Sequence, residues 1–422
     1  MESSLKKNKG MVTIAFAMSA LVAAALGGCA SAQDGAPAGD SPASDPGITD
    51  TKVTIGSSTP LSGPVALPGS QALAGLTAYF GAVNDDGGVK FGDGKTRTVE
   101  IKSYDDAWDP AKAVSNFRQM AAEGVFADVG SLGSGNNIAT MPLANELKLP
   151  NIFVQATNDK VSANQKENPW VIGFVPTQRN EGESIGKFIA SLGEAVTVAI
   201  LQQNDETGLG YVEGFKKGIE GSKVKIAEVA TFGPTDPTVD AQMGKLAATK
   251  ADFFFNANTL PTLTPAALLQ AQQLGWLPKV ILVSVAQSKR DVLGPGNAKA
   301  FPSVYTAAFS KGLDDSQYAN DKDMKTFKAD MKKYASAQDN ESMIPQAAWG
   351  YMVGAALEAA FEKMKTPTRA AMMEAIHSLA GIDLPLLLPG MKFDASSLTA
   401  APLQSMVVAK YDFKADRYVV TK

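Results

Sequence analysis

Residues 99–130 read VEIKSYDDAWDPAKAVSNFRQMAAEGVFADVG. The alternating run Val99–Tyr104 predicts a strand. Asp109-Pro110 then supplies an N-cap residue and a proline preset for the first helical position. The helix they open is expected to run to Ala122, where Gly124 stops it, and Phe126–Gly130 reads as the next strand. Two strands with a helix between them make a βαβ unit, which implies parallel pairing. The pattern extends in both directions. Strands are expected at Val53–Ser57, Asn151–Gln155, Trp170–Val175, Val196–Leu201, Lys225–Ala230, Ala251–Asn256 and Lys279–Val285. Helices are expected over 70–83, 138–147, 182–192, 211–219, 239–248 and 265–274.

About ten strands would make one wide sheet, so two smaller doubly wound sheets fit better. The break falls near Phe174-Val175-Pro176-Thr177, where the polar run Gln178-Arg179-Asn180-Glu181 opens a new helix. After Val304–Phe309 the pattern turns to long helices over 324–334, 347–363 and 369–379. It closes with strands over 404–413 and 418–421, a hairpin across Lys414-Ala415-Asp416. The expected fold is α/β, two doubly wound parallel-sheet lobes joined by a three-segment hinge. Residues 52–175 and 304–390 form lobe 1; residues 176–303 and 391–422 form lobe 2.

Composition narrows the function. The 422 residues suggest two domains. With 45% hydrophobic and 19% charged residues, the chain can build a packed core and is not globally disordered. A net charge of −4 argues against a nucleic-acid partner. One cysteine and one histidine exclude an internal disulfide and leave any catalytic pair dependent on His377, which sits in an apolar helical stretch suited to a structural role.

At the N-terminus, Lys6, Lys7 and Lys9 precede the apolar run Met11–Leu26, which reads as an export signal over residues 1–28. Leu26-Gly27-Gly28-Cys29 resembles a bacterial lipobox, so Cys29 is the expected lipidation site. Competing readings are an uncleaved anchor helix and a secretory signal with an incidental cysteine. Residues 29–51 are rich in Ala, Gly, Ser, Pro and Asp and are expected to form a flexible tether reaching about 25 Å.

No P-loop, H-E-x-x-H or G-x-S-x-G is present. Gly208-Leu209-Gly210 with Gly214 looks like a dinucleotide fingerprint, but it is one residue too long and Asp205-Glu206 stand beside it. The preferred reading is a tight strand–helix turn. Small polar residues cluster instead in several βα loops, over 57–63, 131–137, 155–158, 204–207 and 256–259. At the carboxyl ends of parallel strands such loops bind ligands. Singly, each of these residues is as well explained as a helix cap.

Four motifs carry a family resemblance: Val53-Thr54-Ile55-Gly56, Pro60 to Ala66, Asn84 to Val89, and Tyr104 to Pro110. Together they resemble the leucine/isoleucine/valine-binding family, the type I solute-binding proteins of ABC importers. The resemblance runs from Val53 to about Gly294 and is weak beyond. It implies a periplasmic-binding-protein-like type I fold, two lobes joined by three crossovers and closing on a ligand, with the third crossover over 388–404. It places Gly133-Ser134 and Gln155-Ala156-Thr157 at the ligand head group and Leu67 over the cleft. On lobe 2 an expected aromatic is replaced by Asn258-Thr259, and the expected acid falls near Ala286-Gln287, neither of which is a carboxylate. A buried ammonium left unpaired costs several kcal/mol. The ligand is then not a plain α-amino acid, unless Asp205 or Glu206 supplies the charge. Trp108 stands where several relatives carry a half-cystine; it either packs as core, the preferred reading, or stacks on the ligand.

The reading that follows is a non-enzymatic, cofactor-free, monomeric solute receptor. It is lipid-anchored at the extracytoplasmic face of the cell membrane and delivers an amino acid or related solute to an ABC permease. A sensory lipoprotein of the same fold is the alternative. An exported α/β hydrolase is disfavoured by the missing nucleophile motif.

Overall fold

The computed structural model describes residues 44–63, 65–260, 262–313, 315–335 and 343–421. The export signal, Cys29 and most of the tether lie outside the described residues. No helix among the described residues is long and apolar enough to cross a membrane.

The first sheet holds β1 (Lys52–Thr59), β2 (Val89–Lys90), β3 (Thr96–Asp105), β4 (Asp128–Val129), β5 (Asn151–Val154) and β6 (Val171–Gly173), in the order β2-β3-β1-β4-β5-β6. All its pairings are parallel except β2 with β3. The second sheet holds β7 (Thr197–Gln203), β8 (Lys225–Phe232), β9 (Phe253–Ala257), β10 (Lys279–Leu282), β11 (Val304–Ala308), β12 (Val407–Asp412) and β13 (Arg417–Val420). Its order is β13-β12-β11-β10-β9-β7-β8. Strands β7 to β11 pair in parallel, and β12 and β13 close the edge as the expected antiparallel hairpin.

Helices cover both faces of each sheet. On the first lie α1 (Ala66–Asp85), α2 (Pro110–Ala122), α3 (Ser134–Leu147), the short α4 (Asp159–Ser162), α9 (Lys322–Tyr334), α10 (Pro345–Phe361) and α11 (Arg369–His377). On the second lie α5 (Gln178–Ser191), α6 (Glu206–Gly218), α7 (Asp240–Ala248) and α8 (Leu263–Gln273). The uninterrupted apolar runs Val198–Leu201 and Phe253–Phe255 are fully buried, as central parallel strands between two helix layers must be. Helix α2 begins as read from the sequence: Asp109 accepts from the Ala111 amide at 2.8 Å, with Pro110 at the first helical position.

Three expected boundaries move. Val304–Ala308 was assigned to lobe 1, but β11 pairs with β10 and β12 in the second sheet. Residues 391–403 were assigned to lobe 2, but Phe393 bridges to Ile382 and packs 5.5 Å from Phe153 and 5.4 Å from Phe174, inside lobe 1. The end of the tether is docked rather than loose. Ile48, the one aliphatic residue in the segment's last turn, is buried and bridges to Val53, and the Asp45 carboxylate accepts from the Arg369 amide at the start of α11. The chain thus passes between the sheets three times: between β6 and α5, after β11, and before β12.

Candidate functional site

Two of the loops at the carboxyl ends of the first sheet's parallel strands bind one another. The Gly133 amide donates to the Gln155 carbonyl at 3.2 Å, and the Gln155 amide donates to the Ser131 carbonyl at 2.9 Å. The loops after β4 and β5 therefore lie side by side. Gly133 caps α3 with φ at +108°, a conformation open to glycine, and has no side chain to satisfy the helix's first amides. Among the described residues, the amides of Ser134, Gly135 and Asn136 and the Ser134 hydroxyl have no hydrogen-bond acceptor or donor. Ser134 is half-buried. This turn is an unfilled set of donors.

Trp108 differs from the preferred reading. It is 44% exposed rather than core, and its left-handed backbone (φ +64°) is fixed by its amide donating to Asp106 at 2.9 Å. A Cβ on Gly133 would meet the indole at 2.7 Å, so the ring lies directly on the α3 cap. Leu67, in the first turn of α1, is also exposed at 37%. Ala156 is fully buried in the core, with its carbonyl accepting from the Ser162 hydroxyl at 2.5 Å. Thr157 is half-buried; its carbonyl accepts from the Gln178 amide at 2.9 Å, and its hydroxyl accepts from the Gln178 side chain. That contact joins the loop after β5 to the start of α5.

The second lobe's candidates are engaged with each other. Asp205 is the N-cap of α6, accepting from the amides of Thr207 and Gly208, both at 3.0 Å, and from the Gln203 side chain. Thr259 donates its amide and hydroxyl to the Gln203 side-chain oxygen, at 3.3 and 3.0 Å. Asn258 is fully buried; it donates to Thr264 and accepts from the Leu260 amide at 2.8 Å. Gln287 turns back onto the Ser284 carbonyl at 2.8 Å. Glu206 reaches across to lobe 1, accepting from Asn158 at 3.1 Å and pairing with Lys160 at 2.5 Å. Neither Asp205 nor Glu206 is therefore an idle carboxylate. Gly208 and Gly214 lie inside α6, not in a turn. Gly208 abuts the Gln203 carbonyl and Gly214 the Arg179 carbonyl, so the glycines let α6 pack against β7 and α5.

Both edges rest on buried acids that sequence reading passed over. Under the first, Asp128 accepts from the Ser131 hydroxyl at 2.6 Å and the Ser58 amide at 3.3 Å. Burial pushes its carboxyl up to about 7. Asp106, fully buried beside it, is also raised by burial and accepts from the Ser58 hydroxyl at 3.2 Å. Under the second, Glu181 in the first turn of α5 accepts from the Ser284 amide at 2.5 Å and hydroxyl at 2.8 Å, and burial pushes it up to about 7. Asp128 carried a signal, as the one charged residue in the apolar run Phe126–Gly130. Glu181 carried none, since Ser284 is 103 positions away.

Two α/β lobes, three crossovers and polar loops at the carboxyl ends of both sheets define a two-lobed binding protein of the type I periplasmic class. A family model described as periplasmic binding protein matches residues 52–416. The chain belongs to that family. The leucine-, isoleucine-, valine-, threonine- and alanine-binding protein of Pseudomonas aeruginosa is 26% identical over 223 residues, 53% of this chain and 58% of that protein. The matched stretch thus spans little more than half the length of that relative. Among solved structures, a fatty acid ABC transporter substrate-binding protein from Thermomonospora curvata aligns at TM-score 0.72 and 21% identity, covering 90% of this chain and 94% of that one. A branched-chain amino acid ABC transporter protein from Thermus thermophilus with bound valine also aligns at TM-score 0.72, with 16% identity and 89% and 96% coverage. At these identities both show the fold alone.

Proposed function

We propose that this protein is an extracytoplasmic receptor that closes on a small organic solute, an amino acid or a relative of one, and presents it to an ABC importer. The observation that carries the reading is the unfilled donor set at the start of α3, with Ser134 at its head, beside the Gln155–Thr157 loop. A ligand held there and covered by the second lobe is better satisfied with the lobes together, so it shifts the open–closed equilibrium. No covalent step is involved, in keeping with the solute-binding relatives. Cys29 anchors the receptor by its lipid near the permease, which raises its local concentration there.

The purified protein is expected to gain thermal stability in a dose-dependent way from at least one member of a panel of amino acids, organic acids, amides and short peptides. A flat response across the panel refutes solute binding. Cys29→Ser is expected to release the protein from membranes or stall its maturation; full retention refutes the anchor.

A further inference from the structure

A run of unanswered charge lies on α9, away from both cleft edges. The helix carries five lysines and two aspartates. At about 100° per residue, Lys322, Lys325, Lys328, Lys332 and Lys333 fall within a sector of roughly 140°. All five are exposed, while Met324, Phe327 and Met331 bury the opposite side. Both aspartates stand outside that sector and are engaged. Asp323 lies 3.4 Å from the Lys311 ammonium, and Asp330 accepts from the Tyr351 hydroxyl at 2.6 Å. Lys333 pairs with Asp85 at 2.7 Å. Among the described residues, the other four lysines have no carboxylate partner.

Helix stability does not account for this stripe. Lys332 and Lys333, in the last turn, complement the helix dipole, but Lys322 and Lys325, at the first and fourth helical positions, oppose it. Like charges three or four positions apart also repel one another. Solubility does not account for it either. The chain is already net negative at −4, and a basic stripe brings it closer to zero. Such a face is stabilised by an anionic partner outside the chain.

Its position says which partner. Ile48, where the chain enters lobe 1, bridges to Val53. Val53 lies opposite Val99 in the β1–β3 ladder, and the Asn84 side chain bonds both the amide and the carbonyl of Val99 at 2.9 Å. The next residue, Asp85, accepts from Lys333 and Tyr334 at the end of α9, both at 2.7 Å. The lysine helix therefore ends at the same end of the lobe as the chain's point of entry. Cys29 is sixteen positions before Asp45. Whatever path those residues take, they span at most about 58 Å, so a lipid at Cys29 keeps this end of the lobe near a bilayer.

We propose that the outer face of α9 rests on an anionic lipid surface, with its lysines against the headgroup phosphates. This rests on the anchor reading above. Each lysine near such a surface adds an attraction that salt screens, and a basic face beside a lipid anchor is a second membrane signal. The receptor is then held with one side of lobe 1 toward the membrane.

The test uses the chain from residue 29 with Cys29→Ser, which contains all the described structure and carries no lipid. Its sedimentation is measured with vesicles of equimolar phosphatidylglycerol and phosphatidylcholine, and with vesicles of phosphatidylcholine alone. Binding to the anionic vesicles is expected to be about tenfold or more stronger, and to vanish in high salt. Lys322→Gln, Lys325→Gln, Lys328→Gln and Lys332→Gln combined should lower it by about tenfold or more with an unchanged melting temperature. Lys216→Gln, Lys223→Gln, Lys225→Gln and Lys245→Gln combined remove the same charge from the exposed surface of lobe 2 and should lower it less than about twofold. Equal losses in the two variants overturn the proposal in favour of net charge alone. Equal binding to both kinds of vesicle overturns it too, as does retention on heparin, a soluble polyanion, with none on vesicles. Each of these results leaves the anchor reading standing, because that reading is decided by where the lipidated chain and its Cys29→Ser variant are found in cells.

Discussion

The two cleft edges use the same residue types for opposite ends. On the first lobe, glycine caps α3, and its opening amides and Ser134 have no partners among the described residues. On the second, aspartate caps α6, Gln203 ties Asp205 to Thr259, and Asn258 and Gln287 close their own turns. On the reading proposed above, the first edge holds the ligand and the second covers it.

The edges are alike in what lies beneath them, and that likeness gives the largest expected effect. Asp128 and Glu181 are each buried with no cation against them and each pushed up to about 7. For such groups the folded state binds a proton that the unfolded state has already lost above about pH 4.5. Stability is therefore highest near the acid end of this window and falls as pH rises from about 4.5 through 7. Asp128→Asn keeps an oxygen for Ser131 and Ser58, and Glu181→Gln keeps an oxygen for the Ser284 amide. Each variant is expected to raise stability at pH 8 by roughly 2–4 kcal/mol, with little change at pH 5. Denaturant melts at the two pH values measure this. A wild-type stability that climbs between pH 5 and 8 would mean that both acids are charged at rest.

The contrast itself is sharpened by paired truncations. If Ser134 donates to the ligand as proposed, Ser134→Ala should lower affinity by roughly 1.5–3 kcal/mol with an unchanged melting temperature. Asn258→Ala leaves the Leu260 amide without its acceptor, while the Thr264 hydroxyl keeps Asn256, so stability should fall by about 1–3 kcal/mol with affinity nearly intact. Calorimetry and thermal melts on both variants read the four quantities. If the two profiles are exchanged, the second lobe holds the ligand and the first is the cover.

The fold was legible because its signals are local. Apolar runs such as Val198–Leu201 and the Asp109-Pro110 helix start report on their own neighbourhood, and the elements followed. The boundary errors come from long-range pairing: nothing within Val304–Ala308 states that β12, a hundred residues on, will lie beside it. The site divides in the same way. Gly133 and Ser134 could be placed at a strand-to-helix turn because a loop after a strand is a local object. Asp205, Asn258, Thr259 and Gln287 were named as ligand contacts because their chemistry is right, but each had a closer partner in its own turn or on the neighbouring strand. Trp108 was misjudged by residue type: a large aromatic is usually core, and only the bond from its amide to Asp106 sets it outward on Gly133.

The smallest effect concerns one of the two places where the edges are joined by charge, the other being Arg179 of α5 with Asp159 of α4. Lys160 from lobe 1 pairs with Glu206 from lobe 2, and Asn158 donates to the same carboxylate. The pair has 62% and 55% exposed side chains, and water and salt screen such contacts to less than about 1 kcal/mol. Lys160, by pairing, holds the Glu206 carboxyl below its ordinary range, but at this exposure that shift adds little to stability. Glu206→Gln keeps the Asn158 contact and removes only the charge. Ligand affinity is then expected to weaken less than about threefold, with the difference vanishing in high salt. Titrations of both proteins at low and high ionic strength separate the outcomes. A loss of tenfold or more that survives salt would make this strap the latch of the closed form. The second edge would then contribute to closure through charge, and its description as a passive cover would have to be given up.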